Sequence, residues 1–406
     1  MSSGGFPAPE SLTAGGCGIE WRLGSRSQGP PAIGFMDKNG YGLKNKRIVI
    51  DARCLTAHMH GIARVALRFI ENAALLAPEN EYIVLARNET GPAILPKAAC
   101  LSVRGCDAKL YGIAERFVIP RALKRLAPDL YYSPSYFAPS RACCPVVFSI
   151  YDLAYISDPR HGNILHRLYF GAVVRRAASN AARVITNSRH VAEELTARLR
   201  IPASKIRTVH LGADEAFGTD SGPAGIDGPY ILNVSNRFRH KNTAALLRAY
   251  EIFLAKGRGR YKLVIVGKQN KAVEEIIKRN ERLRRQVELV GQVNDERLVR
   301  LMRGAALFVL PSRCEGFGLP ILEAARAGVP VVAGDNTAPA ELFRSCARLV
   351  DADSPEAIAG AIERVLADEG ERRSMIENGL ELSKSFTWEK MARDLLAIFD
   401  EVLTGA

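Results

Sequence analysis

Two glutamates eight positions apart form the most informative pattern in this sequence of 406 residues. Glu315 and Glu323 belong to the segment SRCEGFGLPILEAARAGVP, which follows a strand-like apolar run. Gly316 and Gly318 let backbone amides approach a ligand closely, and free amides at the start of a helix bind the phosphates of a nucleotide. A carboxylate one turn into that helix accepts hydrogen bonds from a ribose diol. We therefore predict that Glu323 binds the ribose and that Glu315 contacts a sugar hydroxyl.

The helix of this segment is predicted to begin at Pro320, because proline favours the first helical position. The backbone of the loop before it belongs to the same predicted site, so the donor-binding residues also include Phe317 and Leu319. An alternative for the segment taken alone is a glycine turn followed by two solvated glutamates.

A basic segment, NVSNRFRHKN (233–242), follows the predicted strand Tyr230–Val234. Lys241, with Arg237, Arg239 or His240, brings positive charge to a diphosphate from the side opposite the helix. A basic loop between a strand and a helix is also common as plain protein surface. Its position at the carboxyl end of a strand favours a binding site.

A third element is the segment DARCLTAHMHGIAR (51–64), where the first predicted strand gives way to a loop and then to a helix starting near Gly61. This helix start can meet the nucleotide or the sugar from the opposite side. No group of His, Asp or Glu in the sequence has the spacing of metal ligands, so no metal site and no cofactor is predicted.

These segments follow strand-like runs that alternate with helical patterns along the whole chain. The predicted strands are Arg47–Ala52, Tyr82–Ala86, Ala99–Val103, Leu130–Tyr132, Val146–Ile150, Arg183–Asn187, Ile206–His210, Tyr230–Val234, Lys262–Val266, Gln286–Val290, Ala306–Leu310, Pro330–Ala333 and Ala347–Val350. Helical spacing marks Ile62–Leu76 and Leu165–Ala178, and further helices are predicted to start near Asn242, Ala272, Asp295, Pro320 and Pro339. Such alternation predicts parallel sheets covered on both faces.

The predicted fold class is therefore α/β, with two tandem doubly wound Rossmann-like domains and a cleft between them that holds the ligand. The predicted divisions are a disordered tail (1–45), a first domain (46–214), a Gly- and Pro-rich linker (215–228), a second domain (229–385) and a final helix (386–406) that returns to the first domain. We also expect translation to start at Met36, just before the first strand.

Composition excludes several classes of protein. With 47% hydrophobic and 24% charged residues the chain folds into a globular protein, and no apolar run is long enough to span a membrane. The eight cysteines form no Cys-x-x-Cys pair, which is typical of reduced thiols in the cytoplasm.

The net charge of +13 is concentrated in the first half of the chain, chiefly in the cluster Arg116–Arg125 and the patch Pro159–Arg207. Anionic lipid and phosphates are attracted to such surfaces. Nucleic acid is disfavoured, because aromatic residues are not interleaved with these arginines. A basic surface without any partner stays an open alternative.

From about Arg47 to the C-terminus, the chain resembles a retaining glycosyltransferase of family 4 with the GT-B fold, of the hexosyl- or mannosyltransferase type that builds bacterial polysaccharides. EGFGLPILEA carries the Glu-x7-Glu motif diagnostic of that family, and VSNRFRHKN resembles its phosphate-binding loop, with Lys241 at the lysine position. The other motifs also follow the family's order: DAR and GIAR, YDLAY, NSRHVAEEL, HLGAD, DNTAPAEL and FTWEK.

The sequence departs from the family at three positions. Tyr151, followed by Asp152, stands where relatives have a histidine that borders the donor sugar, and tyrosine cannot become an imidazolium. Ala63 replaces a glycine near the phosphates, and His240 stands where an arginine is common. A non-catalytic, nucleotide-sugar-binding partner in a polysaccharide assembly complex is therefore the alternative to an active enzyme.

The resemblance implies transfer of a hexose from a nucleoside-diphosphate sugar to a hydroxyl of a glycan or lipid-linked acceptor, with retention and without a metal. Glu315, Lys241 and Arg237 are the implied catalytic residues. The donor-binding residues are Glu323, Gly316, Phe317, Gly318, Leu319, His240, Gly61, Tyr151 and Asp152. The expected location is the cytoplasm, at the inner face of an anionic membrane.

Overall fold

The computed structural model describes residues 43–55, 61–87, 94–112, 114–139, 141–153, 164–219 and 222–405. Almost the whole of the predicted tail (1–45), including the expected start at Met36, lies outside the described residues. So do residues 159–163 of the basic patch.

The first lobe, residues 43–213, is built on a seven-stranded parallel sheet with the order β3-β2-β1-β4-β5-β6-β7. Its strands are β1 (Arg47–Asp51), β2 (Glu81–Ala86), β3 (Leu101–Gly105), β4 (Leu130–Ser133), β5 (Val146–Ser149), β6 (Arg183–Thr186) and β7 (Ile206–Thr208). Every residue of β4 and β5 is buried, as expected for strands with both faces covered. The helices of this lobe are α1 (Gly61–Leu76), α2 (Glu115–Leu126), α3 (Ile164–Asn180) and α4 (Arg189–Leu199).

The second lobe, residues 222–387, contains a six-stranded parallel sheet with the order β10-β9-β8-β11-β12-β13. Its strands are β8 (Tyr230–Val234), β9 (Lys262–Val266), β10 (Val287–Gly291), β11 (Leu307–Leu310), β12 (Val331–Gly334) and β13 (Ala347–Val350). Its helices are α5 (Thr243–Ala255), α6 (Lys271–Arg279), α7 (Glu281–Gln286), α8 (Asp295–Arg303), α9 (Leu319–Arg326), α10 (Thr337–Leu342), α11 (Pro355–Ala367) and α12 (Glu369–Lys384).

The last helix, α13 (Trp388–Thr404), begins after the side-chain cap of Thr387 and packs on α1 of the first lobe. The ring of Phe399 lies 5.6 Å from Phe69 and 5.3 Å from Tyr132, between centroids. Trp388 donates its indole N–H to Asp214 over 2.7 Å. The C-terminal helix therefore completes the core of the lobe that is first in sequence.

The predicted α/β class with two parallel Rossmann-like sheets is confirmed, and each predicted strand has its counterpart within two residues at either end. Several helices were not predicted, among them α2, whose pattern is interrupted by Pro120. No helix in the described residues combines the length and apolar character that crossing a membrane requires. The seven cysteines in the described part are free thiols.

Candidate functional site

The strand order of the second sheet brings the two predicted chemical segments together. In the sheet β8 pairs in parallel with β11 on one side and with β9 on the other, so the sheet grows outward from β8 in both directions and the strand order reverses between β8 and β11. The loops at the carboxyl ends of these two strands, residues 235–242 and 311–318, therefore lie side by side. Ligands of open parallel sheets bind at such a switch point.

Lys241 and Glu315 meet at this edge. The Nζ of Lys241 lies 2.7 Å from Oε1 of Glu315, whose residue is only 9% exposed. Burial by itself would raise the pKa of Glu315, but the charge and hydrogen bond of Lys241 outweigh it and lower the pKa below the ordinary value. The backbone N–H of Glu315 donates to Thr337 Oγ1 over 3.1 Å. Glu315 is thus a fixed, ionised hydrogen-bond acceptor.

The start of α9 lies in the same loop. Gly318 precedes the helix with φ 98°, in the left-handed region that glycine favours, and no side chain caps the helix. Pro320 has no N–H, and the N–H of Ile321 donates to the carbonyl of Gly318. The helical N–H at this start that suits an anionic ligand is therefore that of Leu319. The helix begins at Leu319, so the predicted start at Pro320 is one residue late and Pro320 takes the second position.

Glu323, in the second turn of α9, lies at the boundary between the lobes. Its Oε1 accepts from Nη1 of Arg64, on α1 of the first lobe, over 2.5 Å. The same guanidinium donates to Asp295 over 2.7 Å and lies 4.0 Å from Asp214. Burial raises the pKa of Glu323 to about 7, with Arg64 opposing the rise and the nearby carboxylates of Asp214 and Asp295 adding to it.

The start of α1 also faces this site. Gly61 is exposed, and a Cβ placed on it would lie 4.0 Å from Cδ1 of Leu319 at the start of α9. The starts of two helices, one from each lobe, therefore approach each other, whereas contact of the α1 start with the nucleotide or the sugar stays a prediction. Ala63, the departure from the family pattern, is fully buried within α1.

Tyr151 contacts the glycine loop through its backbone. A Cβ on Gly316 would lie 1.6 Å from the carbonyl oxygen of Tyr151, so only glycine fits there. The carbonyl of Gly316 accepts from the hydroxyl of Ser188 over 2.8 Å. Burial raises the pKa of the Tyr151 hydroxyl far above its ordinary value, and that hydroxyl lies 3.4 Å from the Tyr132 hydroxyl. Asp152, next in sequence, is exposed.

The basic loop has two faces, and only one of them meets Glu315. Arg237 is exposed, with its guanidinium 5.8 Å from the ring centroid of Phe238. The ring of His240 stacks on Phe238 at a centroid distance of 5.8 Å, and the carbonyl of His240 accepts from the backbone N–H of Arg313. The structure therefore brings Lys241, Glu315, Gly316 and Gly318 together but leaves the side chain of Arg237 on another surface.

Phe317 contributes backbone rather than a side chain. Its ring is 3% exposed and packs against Phe343 and Phe386, at centroid distances of 6.1 and 5.8 Å.

The charges of the DAR segment are internal, because Arg53 binds Asp51 over 2.6 Å with both side chains fully buried. Arg53 also lies 3.2 Å from Glu115, so the pair links the end of β1 to α2 inside the first lobe.

Four residues at the site were not assigned a role from the sequence: Arg64, Ser188, Asp295 and Thr337. Arg64 and Ser188 occur in the quoted motifs GIAR and NSRHVAEEL, so the signal was present. Their partners lie more than 100 positions away, which spacing alone does not reveal. No group of three or more His, Cys, Asp or Glu in the described ranges is arranged to hold a metal ion.

Two family models match the chain. The glycosyltransferase family 4 model covers residues 60–217, and the model for glycosyl transferases group 1 covers residues 220–382. The chain is 28% identical to the O-antigen chain mannosyltransferase B of Escherichia coli over 291 residues, covering 68% of this chain and 76% of that protein. It is 25% identical to the serotype-specific mannosyltransferase WbdA of Escherichia coli, covering 70% of this chain but 38% of that longer protein.

Solved structures share the fold. The sucrose-phosphate synthase of Thermosynechococcus elongatus matches with a TM-score of 0.71 and 18% identity, over 89% of this chain and 100% of that one. HepE of Anabaena, solved with UDP-glucose, matches with a TM-score of 0.67 and 17% identity, over 87% and 99%. With its two lobes each matched by a family model and a fold shared with these enzymes, the chain belongs to the group 1 glycosyltransferases of family 4, with the GT-B fold.

Proposed function

We propose that the protein transfers a hexose, with mannose as the first sugar to test, from a nucleoside-diphosphate sugar to a hydroxyl of a glycan or lipid-linked acceptor in the synthesis of a cell-surface polysaccharide. The observation that carries the proposal is the buried pair of Lys241 and Glu315 beside the uncapped start of α9. Support for the sugar comes from the two Escherichia coli relatives, which are mannosyltransferases. Support for the donor comes from HepE, solved with UDP-glucose.

In this proposal the leaving diphosphate is stabilised by the second lobe. As the bond between the anomeric carbon and the phosphate oxygen breaks, negative charge grows on that oxygen. Lys241 and the backbone N–H of Leu319 at the start of α9 are the groups that would supply positive charge to that oxygen. The role of Arg237 at the diphosphate stays a prediction.

We further propose that the reaction retains the anomeric configuration. The acceptor oxygen bonds to the face that the phosphate leaves, and its proton passes to the departing phosphate oxygen, so no protein base is consumed. Glu315, held ionised by Lys241, accepts hydrogen bonds from the sugar hydroxyls. Nuclear magnetic resonance of the product distinguishes the two anomers: an inverted product contradicts this step.

Metal independence is part of the same proposal, because Lys241 and the helix start supply positive charge to the diphosphate. Turnover measured after treatment with EDTA should equal turnover in untreated protein. Loss of activity that Mg²⁺ or Mn²⁺ restores would contradict metal independence while leaving the transferase proposal in place.

The donor site is tested by a thermal-shift panel of UDP-, GDP-, ADP- and dTDP-sugars on the wild type and on Glu323→Ala, because a ligand that binds the native state raises its stability. We expect one nucleotide to stabilise the wild type and not the variant. Glu281→Ala is a matched control, since that glutamate is 64% exposed on α7 of the same lobe. Stabilisation of Glu323→Ala equal to that of the wild type would contradict the role of Glu323.

The alternative, a non-catalytic nucleotide-sugar-binding partner, rests on the departures at Tyr151, Ala63 and His240, of which Tyr151 has a hydroxyl that cannot replace an imidazolium. Acceptor-dependent release of nucleoside diphosphate separates the two functions. An enzyme releases it only when acceptor is present, whereas a binding partner shows donor stabilisation without any such turnover.

We also propose that α2 holds the protein at an anionic membrane surface that carries the lipid-linked acceptor. Its outward residues include Arg121, Lys124 and Arg125, and beside them Phe117 is 59% and Val118 38% exposed. Basic residues beside exposed apolar ones are typical of helices that lie in a membrane interface.

Flotation with vesicles of phosphatidylglycerol and phosphatidylcholine at physiological salt tests this placement. We expect the wild type to float, and the triple variant Arg121→Gln/Lys124→Gln/Arg125→Gln to remain in solution. Vesicles of phosphatidylcholine alone are the control for charge. Failure of the wild type to float would overturn the membrane proposal.

A further inference from the structure

The basic loop lines a cavity of about 650 Å³. Its walls are the loop itself, the first turns of α5 and α6, and the segments around residues 313 and 353–355. A volume of this size falls in the range of small-molecule sites. Neither Lys241 nor Glu315 lines it.

The charged groups around this cavity are almost all positive. Arg237, Arg239, Arg248, Lys271 and Arg313 line it, against the one lining carboxylate, Asp353. Arg313 binds Asp353 over 2.5 Å, which uses that carboxylate. In the described part of the chain no ion pair joins the other four cations to a carboxylate, so the cavity has a surplus of positive charge.

Backbone amides add to that surplus. The start of α5, a helix of 13 residues, lines the cavity and carries no acidic residue in its first turn and no side-chain cap. The cavity also meets the start of α6, and Asn270 there donates to the carbonyl of Arg237 over 3.1 Å. That bond ties the loop to α6 and fixes one wall. Arginine guanidinium groups bind phosphate in a bidentate manner.

We infer that this cavity is a second anion site, which binds a ligand carrying one or more phosphate groups separately from the sugar donor. The inference goes beyond the proposed transferase function. Of the residues assigned to catalysis or the donor, Arg237 and His240 belong to the loop and Arg237 lines the cavity. Lys241, Glu315 and Glu323 are not used. The ligand's phosphate belongs either to a free phosphorylated compound or to a lipid headgroup.

The test compares the wild type with Arg248→Gln/Lys271→Gln, which removes two cavity charges outside the proposed donor machinery. Lys278→Gln/Arg284→Gln removes equal charge from exposed positions of the same lobe that do not line the cavity. Inorganic pyrophosphate is titrated calorimetrically for the free source. Vesicles of phosphatidylglycerol in phosphatidylcholine are the probe for the lipid source.

We expect the cavity variant to bind one of the two probes at least about ten-fold more weakly, as the loss of two charge-assisted contacts implies, with the control variant unchanged. Lys241→Met should retain that binding, which separates the cavity from the donor site. The Michaelis constant for the sugar donor should not change in the cavity variant. If the cavity variant loses only the binding of pyrophosphate, the ligand is a free phosphorylated compound. If it loses only the binding of vesicles, the ligand is a lipid headgroup. Unchanged binding of both probes would overturn the inference, whatever the outcome for the transferase.

Discussion

Glu315 and Glu323 belong to one motif and lie within eight positions, yet the two lobes hold them in different ways. Glu315 is bound by Lys241 of its own lobe and its pKa is lowered. Glu323 is bound by Arg64 of the other lobe, and burial among further carboxylates raises its pKa to about 7. The difference lies in the surroundings: one cation faces one carboxylate at the first site, while Arg64 is shared among three at the second.

The charges of the two glutamates are therefore controlled by different parts of the protein. The charge at Glu315 is settled inside one lobe before any ligand arrives. The charge at Glu323 depends on a residue that approaches from across the boundary between the lobes, so donor binding there is coupled to how the lobes meet. Four measurements test this difference between Glu315 and Glu323.

The largest effect is expected on the side of Glu315. Lys241→Met removes the cation from the leaving diphosphate and should lower acceptor-dependent turnover by roughly 10²–10³-fold. Lys384→Met is the control, because Lys384 is exposed on α12 and 72% of its side chain is accessible. Turnover within about two-fold of the wild type would show that Lys241 does not act on the leaving group.

On the side of Glu323, Arg64→Gln should leave the buried carboxylate of Glu323 without its cation. Asp214 keeps its contact with Arg68. Removal of one partner of a buried pair typically costs about 3–5 kcal/mol, and the Arg64 side chain is 14% exposed, so we expect a loss near the lower end. The measurement is the free energy of unfolding in urea. Arg393→Gln, which breaks an exposed pair on α13, should cost less than about 1 kcal/mol. Equal losses in the two variants would contradict a clamp at Arg64.

The two glutamates should have opposite effects on stability as pH changes. Relative to Glu323→Gln, the wild type should lose free energy of unfolding as pH rises from about 4.5 to about 7. Over that window the native protein keeps a proton that the unfolded chain releases.

Glu315 gives the reverse sign. Relative to Glu315→Gln, the contribution of the ionised pair should be complete above the ordinary carboxyl pKa of 4.5 and should disappear as pH falls through the lowered native pKa. Urea unfolding at a series of pH values measures both differences. If the difference in free energy of unfolding between the wild type and the variant changed in the same direction with pH for both glutamates, the two sites would not differ as described.

The smallest effect concerns donor affinity. If Glu323 accepts hydrogen bonds from ribose, the protein with ionised Glu323 binds the sugar donor more tightly. The affinity for the donor should therefore increase a few-fold between pH 6 and pH 8, as Glu323 loses its proton. The increase should vanish in Glu323→Gln. A pH-independent affinity in the wild type would place the ribose elsewhere.

Much of this architecture was accessible from the sequence. Strands such as β4 and β5, with both faces covered, are continuous apolar runs whose positions could be predicted, whereas α2, whose helical pattern is interrupted by Pro120, could not. The pairing of Lys241 with Glu315 follows from strand order, because both residues follow neighbouring strands.

The role of Arg64 could not be predicted, since it depends on how two lobes pack, and spacing within one segment carries no information about that. The outward orientation of Arg237 has a similar origin. The conformation of the basic loop decides which of its side chains face Glu315. The contact of the Arg237 guanidinium with Phe238 and the hydrogen bond from Asn270 to the Arg237 carbonyl hold that conformation.

The packing of α13 on α1 has a consequence for how the protein is made. Ribosomal synthesis completes the first sheet at Thr208, but the rings of Phe69 and Tyr132 find Phe399 only when nearly the whole chain has emerged. Until then the nascent first lobe exposes apolar surface of the kind that chaperones bind and that aggregates when crowded. The lobe that is translated first is therefore completed only after the second lobe has been made, and a stop codon ahead of Phe399 would leave the core of the first lobe incomplete.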